Sequence, residues 1–132
     1  MAASRVPRLL ACTAASKWVW FQNDYDARSR AREEFANLPV DARAKLDVAM
    51  SRHLRGDSRA GDVDHLGHGI YELRVRHLNN QYRLLFMGWG VHRVVLTAFR
   101  KNQQKTPKTD LQRATKRGTR WLELFADPTE AE

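Results

Sequence analysis

The chain has 132 residues, a formal net charge of +8, and hydrophobic side chains at 42% of its positions. This length fits one domain with a single core, and the hydrophobic fraction is ordinary for a globular protein. The sequence contains no run of about 18 apolar residues, so it predicts no membrane-spanning helix. The single cysteine, Cys12, excludes an internal disulfide and a cysteine-based zinc site, and it favours a cytoplasmic location.

The composition along the chain predicts one folded domain over residues 17–125. We expect residues 1–16 to be a flexible extension and residues 126–132 to be a flexible acidic tail. Residues 1–14 faintly resemble an export signal, but Pro7 and Arg8 interrupt them and the apolar stretch after Arg8 is too short for one.

Hydrophobic periodicity predicts elements in the order β-α-α-β-β-β-α. The predicted strands are 17–22, 70–77, 81–87 and 91–99; the predicted helices are 27–38, 41–55 and a last one that starts near residue 107 or 109, with Gly118 as a candidate break. Residues 57–69, which are rich in glycine and aspartate, are expected to form a loop. This order is typical of an α+β domain with a small antiparallel sheet and helices on one side.

Positive charge is concentrated late in the chain. Residues 100–120 hold eight basic side chains against one acidic side chain, whereas residues 24–69, which include the first two predicted helices, hold eight basic and nine acidic side chains. The basic block indicates a surface that binds a polyanion, although a merely solvated basic surface is the alternative. The two helices in this balanced region are assigned to packing or to holding a partner.

Arginines lie together on one face of the predicted hairpin. A turn at Asn79-Asn80 places Arg76 directly opposite Arg83, with Arg74 diagonal to it. Because opposed like charges destabilise a sheet, this arrangement favours a phosphate-binding site. The alternative is neutralisation by Glu72 and the loop aspartates, but one glutamate is too little for three arginines.

Two further sets of residues bear on function. Four aromatic side chains near the arginines are candidates for stacking on bases, although Phe99 and Tyr82 fit the core better: Tyr71, Tyr82, Trp89 and Phe99. The loop sequence also brings together Asp64, His65 and His68. No second ligand cluster follows at an established spacing, so no metal site is predicted.

Three motifs make the chain resemble the HigB-like, phage-derived branch of the RelE toxin superfamily. They are Glu72-Leu73-Arg74, then Tyr82-Arg83-Leu84-Leu85-Phe86, then the basic block from Phe99 to Lys105-Thr106-Pro107. The resemblance covers roughly residues 17–120, and the last block is its most specific part. Asn102 stands where many relatives carry a second lysine, so the contribution of that lysine is not carried over.

The resemblance implies a toxin of a toxin–antitoxin pair that cuts messenger RNA in the ribosome, without a metal, cofactor or small-molecule substrate. In such toxins the 2′-OH of the message attacks the adjacent phosphate. On this basis Arg74 and Arg83 are expected to stabilise the scissile phosphate, and Lys101 to be a neighbouring donor or the acid for the leaving group, its pKa lowered by nearby positive charge. The residues expected to follow the RNA backbone are Arg76, Arg100, Lys105 and Lys108.

The resemblance also implies a cognate antitoxin, typically one with a helix-turn-helix DNA-binding domain. His77 and His92 remain secondary candidates for proton transfer. Two other functions stay open at this point: a non-catalytic RNA- or DNA-binding module, and a degenerate toxin relative that serves as a structural partner.

Overall fold

The computed structural model describes residues 8–24, 28–101, 107–126 and 128. Its elements, in chain order, are β1 Trp18–Trp20, α1 Arg30–Ala36, α2 Val40–Leu54, β2 Val63–Gly67, β3 Ile70–His77, β4 Asn80–Trp89, β5 His92–Lys101 and α3 Lys108–Leu124. The predicted α+β class is confirmed. None of the helices in the described ranges has the length and apolar character needed to cross a membrane.

The five strands form one mixed sheet in the order β1-β5-β4-β3-β2. β1 runs parallel to β5, whereas the other neighbours are antiparallel. β2 lies within residues 57–69, so the prediction of a loop throughout that segment is wrong. Its glycines and aspartates have low strand propensity, but pairing with β3, from Val63↔Leu73 to Gly67↔Ile70, overrides that local preference.

The sheet is covered on both faces. The ring of Phe86 lies 5.2 Å from that of His53 on α2, whereas a Cβ added at Gly118 of α3 would lie 3.1 Å from Met87 Sδ. Adjacent strand residues point to opposite faces, so α2 and α3 contact opposite sides of β4, whereas the helices were predicted on one side. This explains why residues 82–87 are all buried and show no alternation. Gly118 does not interrupt α3; it allows the helix to approach the sheet closely.

The hairpin between β3 and β4 turns one residue earlier than predicted. His77 pairs with Asn80, so the turn residues are Leu78 and Asn79 rather than Asn79 and Asn80. Leu78 adopts a φ of 56°, which is unusual for a residue with a Cβ. The shift changes every pairing along the hairpin, including the partner of Arg83.

The segment before β1 packs against the sheet, ahead of the predicted domain start at residue 17. The Arg93 guanidinium donates to the Leu10 carbonyl at 2.7 Å, and the Cys12 thiol lies 3.7 Å from the His53 carbonyl oxygen. A Cβ added at Gly88 would overlap the Arg8 carbonyl oxygen. Residues 8–12 are therefore part of the packed unit, because the sheet supplies a hydrogen bond and a close backbone contact and α2 supplies an acceptor for the Cys12 thiol. At the other end, residues 127 and 129–132 of the predicted tail lie outside the described residues.

Candidate active site

The centre of the candidate site is a pair of arginines on the two central antiparallel strands. Arg74 of β3 lies directly opposite Arg83 of β4, and Phe99 of β5 lies next to Arg83 on the same face. Arg76 was predicted to oppose Arg83, but it pairs with Gln81 because the turn is one residue earlier. The pairing that the structure shows therefore brings Arg74, rather than Arg76, directly opposite Arg83.

Glu72 lies at the base of this pair. Arg83 Nη1 donates to Glu72 Oε1 at 3.1 Å, its Nη2 donates to Gln81 Oε1, and Arg74 Nη1 lies 4.0 Å from Glu72 Oε1. The expectation that the arginines are unneutralised is therefore wrong. Arg83 and Glu72 are only 3% and 2% exposed, and a buried charge of either sign requires a partner of this kind.

Arg74 is the more accessible of the two arginines. Its side chain is 34% exposed, against 4% for that of Arg83. Its Nε donates to the Gly61 carbonyl at 2.8 Å, while its Nη2 lies 3.6 Å from Asp64 Oδ2. The terminal nitrogens of Arg74 lie 3.6 Å from Asp64 and 4.0 Å from Glu72, which are long distances for ion pairs. Arg74 can therefore exchange these contacts for contacts with an incoming anion.

Lys101 brings a third cation to the same face. It is the last residue of β5, pairs with Gln81 and is 4% exposed. Burial lowers the pKa of Lys101 and the charge of Arg83 lowers it further, whereas Glu72 raises it and Arg74 has a small lowering effect. The expected direction of the shift is thus found, but burial rather than neighbouring charge is its main cause. Arg74, Arg83 and Lys101 form a cluster in which positive charge exceeds the single charge of Glu72.

The predicted RNA-binding residues are more scattered. Arg76 is on the same face as Arg74, but Arg100 pairs with Tyr82 and so lies on the opposite face from Lys101. Lys108 begins α3 and lines a separate groove beside that helix. Lys105 lies outside the described residues.

Part of the basic block is used inside the molecule. Arg117 of α3 forms a two-pronged pair with Glu34 of α1 at 2.7 and 2.9 Å, and Glu34 also accepts from the Thr97 hydroxyl at 2.7 Å. Arg113 pairs with Asp110 at 2.6 Å. The prediction that the whole block faces a polyanion is therefore too broad, because Arg117 joins α3 to α1.

Comparison with known proteins identifies the family of the chain. The family model described as "Phage derived protein Gp49-like" matches residues 33–119, a range that contains the arginine pair and Lys101. The chain belongs to the Gp49-like family. It is also 46% identical over 114 residues to proteins named "Probable endoribonuclease HigB1" from two strains of Mycobacterium tuberculosis, CDC 1551 and H37Rv, covering 86% of this chain and 91% of each relative.

The resemblance to HigB-like toxins drawn from the sequence is thereby confirmed. Membership of a toxin–antitoxin family implies a cognate antitoxin as a partner of this Gp49-like chain.

The two histidines proposed for proton transfer both lie away from the arginine pair of this Gp49-like fold. His77 alternates to the face opposite Arg74 and Arg76, where its Nε2 lies 3.6 Å from Asp41 Oδ2. His92 begins β5, at the opposite end from Lys101, and its Nδ1 accepts from the Lys17 amide at 3.3 Å.

The loop residues considered for a metal site, and the aromatic residues considered for base stacking, make contacts within the fold. Among the described residues no three His, Cys, Asp or Glu side chains are placed to hold a metal: His65 stacks on Tyr71 at 4.4 Å, and Asp64 faces Arg74. Tyr82 is buried as expected, whereas Phe99 is only half-buried and is next to Arg83. Sequence reasoning missed Gln81 and Gly61. Gln81 accepts from Arg83, which is two residues later on the same face of β4, so strand alternation was the available signal. Gly61 accepts through its backbone carbonyl from Arg74, 13 residues later, and its residue type gives no signal of that contact.

Proposed function

We propose that the chain is the toxin of a type II toxin–antitoxin pair, an endoribonuclease that cuts messenger RNA on the ribosome. The observation that supports this most directly is the cluster of Arg74, Arg83 and Lys101 on one face of the sheet, in a chain 46% identical to proteins named probable endoribonucleases. No observation favours a binding module without activity.

The reaction is an internal transesterification. The 2′-OH of one nucleotide attacks the adjacent phosphorus, and the bond from phosphorus to the 5′ oxygen of the next nucleotide breaks. The products are a 2′,3′-cyclic phosphate and a 5′-OH. The 2′-OH gives its proton to solvent water, and the 5′ oxygen receives a proton as its bond to phosphorus breaks. Protons and charge therefore balance, no atom changes its oxidation state, and the step needs no cofactor.

Arg74 and Arg83 stabilise the charge that develops on the non-bridging oxygens. Arg74 is the partly exposed member and contacts the phosphate first, exchanging its long contacts to Asp64 and Glu72 for phosphate oxygens. Arg83 is more deeply buried than Arg74, and Glu72 and Gln81 hold its guanidinium in place. Its positive charge is therefore already positioned, and the site needs little reorganisation during the reaction.

Lys101 is the proton donor to the leaving 5′ oxygen. An acid works best when its pKa is close to the working pH, and burial together with Arg83 moves the pKa of Lys101 in that direction. The lysine is also near enough to Arg83 for electrostatic coupling, so it adds to the positive potential at the phosphate.

Several finer assignments belong to the same proposal. Arg76, Arg100, Lys105 and Lys108 contact RNA backbone away from the scissile bond. The antitoxin carries a helix-turn-helix DNA-binding domain, and the pair acts in the cytoplasm, where translating ribosomes are found.

The test is message cleavage on purified, programmed ribosomes by the wild type and by Arg74→Ala, Arg83→Ala and Lys101→Ala. Loss of one well-placed donor is expected to lower the rate by about 100-fold or more. Arg55→Ala is the matched control, since Arg55 is an exposed arginine that pairs with Asp57 outside the cluster. Folding of each variant is checked by circular dichroism, and normal cleavage by a folded Arg83→Ala protein would refute the assigned chemistry.

A further inference from the structure

A basic groove opens at the edge of the sheet next to Arg74. β2 pairs with β3 only as far as Leu73, so the edge of β3 from Arg74 to His77 has no strand beside it in the described chain. The groove has a volume of about 470 Å³ and is lined by Ala44, Lys45, Val48, Arg52, Arg59, Asp62, Arg74, Val75 and Arg76. Five of these nine side chains are cationic and only Asp62 is acidic.

The single carboxylate of the lining is already engaged. Asp62 Oδ2 accepts from Arg52 Nη2 at 3.3 Å and from the Arg59 amide at 2.9 Å. Arg52 is therefore held in place with an 18% exposed side chain, and Asp62 also fixes the backbone that presents Arg59. The carboxylate organises the wall of the groove but leaves most of its positive charge uncompensated.

The other cations are presented to solvent. Lys45 is exposed on α2 and its Nζ donates to the Arg76 carbonyl at 3.0 Å, which places the ammonium at the open strand edge. Arg59 and Arg76 are also exposed, and within the described ranges neither guanidinium has a hydrogen bond or an ion pair. Between these charges the lining has three apolar side chains: Ala44, Val48 and Val75.

We propose that this groove binds the phosphodiester backbone of RNA and continues from the scissile phosphate around the sheet edge. Arg74 lines the groove and also belongs to the cluster with Arg83 and Lys101, so one bound strand can reach both. Successive cations on a narrow track match the spaced charges of a polynucleotide, and the valines can contact ribose. The inference rests on the proposed function, and it assigns a role to α2, which the sequence had suggested was only a packing or partner helix.

The phosphodiester backbone that binds in the groove can belong either to the message or to the ribosomal RNA beside it. The experiment uses the full chain with Lys45→Gln, Arg59→Gln and Arg76→Gln combined. All three side chains are exposed, so the substitutions preserve the core. The matched control combines Lys17→Gln, Arg32→Gln and Arg55→Gln, which removes the same charge from exposed positions that do not line the groove.

One arm measures binding to vacant ribosomes, and a second measures kcat and KM for cleavage on programmed ribosomes, each over a range of salt. We expect the groove variant to lose at least about 10-fold in affinity or KM and to flatten the salt slope by about two, since each lost phosphate contact contributes about 0.7–0.9. A loss already present on vacant ribosomes identifies ribosomal RNA, and a loss seen only with message identifies the message.

Three results would overturn the proposal: unchanged binding and KM, an equal loss in the control, or weakened antitoxin binding with normal ribosome binding. Failure of the proposed function looks different. In that case the wild type binds ribosomes through the groove with the same salt slope, but it cuts no message.

Discussion

Two arginines are buried in the same sheet, and their surroundings differ. Arg83 and Arg93 are 3% and 2% exposed. Within the part of the chain that the structure describes, the Arg93 guanidinium donates to neutral acceptors: His53 Nε2 at 2.9 Å, the Leu10 carbonyl at 2.7 Å and the Val91 carbonyl at 3.3 Å. Arg83 is bound to the carboxylate of Glu72 and to Gln81, while its buried Nε has no hydrogen-bond partner among the described residues.

The difference shows what separates a structural arginine from a candidate for anion binding. Burial is the main cause of a lowered pKa at both guanidinium groups, so burial does not distinguish them. Arg83 differs from Arg93 because two more cations, Arg74 and Lys101, lie near it on the same face of the sheet. Arg93 instead joins the N-terminal segment, α2 and β5. We therefore expect changes at Arg93 to affect stability and changes around Arg83 to affect cleavage.

The largest stability effect is expected from Arg93→Ala. The substitution leaves three partly buried acceptors without this donor, which we expect to lower the free energy of unfolding by about 3 kcal/mol. Urea unfolding measures this loss, with Arg55→Ala as the exposed control. Cleavage per folded molecule should stay close to that of the wild type. A stable Arg93→Ala protein with impaired cleavage would reverse the roles assigned to the two arginines.

A second test of the Arg93 region measures how stability depends on pH through His53, the acceptor for Arg93. Burial and the charge of Arg93 lower the pKa of His53 to about 4 from 6.5. The unfolded chain therefore binds a proton at His53 at a higher pH than the folded protein does. Stability from neutral His53 is fully present above pH 6.5 and is lost as the pH falls toward 4. After allowance for partial exposure of the ring, this loss is about 2 kcal/mol.

The measurement compares urea unfolding at about pH 7.5 and about pH 4.5, for the wild type and for His53→Gln. Glutamine keeps an acceptor for Arg93 but does not titrate, so carboxylates contribute equally to both proteins. The wild type should lose more stability than His53→Gln over this range. Equal losses would mean that His53 is not held neutral by its contacts with Arg93, Trp18 and Phe86.

The contrast between the two arginines could be predicted only in part from the sequence. Periodicity predicted α2 to within one residue at each end, and it put Arg74 and Arg83 on facing strands. The turn was placed one residue too late, which moved each predicted pairing by two residues. Leu78 occupies a left-handed turn position that its side chain disfavours, so turn propensity pointed to the asparagines instead. That single residue decides whether Arg74 or Arg76 opposes Arg83.

Contacts between distant segments account for the rest. Nothing in the local pattern of residues 8–12 signals that the carbonyl of Leu10 is an acceptor for Arg93, 83 residues later. β2 is missed for the same reason, since its stability comes from β3 rather than from its own composition. Glu72 was visible as a neighbour of the arginines, but its burial beneath them follows from the packing of the sheet.

The substitution Glu72→Gln tests whether the Glu72 carboxylate positions the cluster of Arg74, Arg83 and Lys101. Glu72 raises the pKa of Lys101, so its neutralisation should lower that pKa further. The alkaline limb of the pH–rate profile, where Lys101 loses its proton, is expected to move to lower pH, and kcat to fall by about 10-fold as the arginines lose their anchor. Asp64→Asn is the matched control, because it removes a carboxylate near Arg74 that is not among the causes of the Lys101 shift. A kcat loss with no movement of the limb would leave Glu72 a structural role but would remove Lys101 as the acid.

The smallest effect is expected from Gly88→Ala, which probes how the N-terminal segment meets the Arg93 region. A Cβ at residue 88 would overlap the backbone of Arg8, which cannot yield as a flexible side chain could, so the segment must move away from the sheet. The cost is expected to be about 1 kcal/mol, with faster proteolysis within residues 8–12, since the displaced backbone loses its hydrogen bond from Arg93. A truncated chain that lacks residues 1–12 supplies the control: if the segment is the only element disturbed, Gly88→Ala should cost nothing in that background. An equal cost in both backgrounds would instead place the strain inside β4, and the N-terminal segment would then be a passive neighbour of the Arg93 cluster rather than one of its parts.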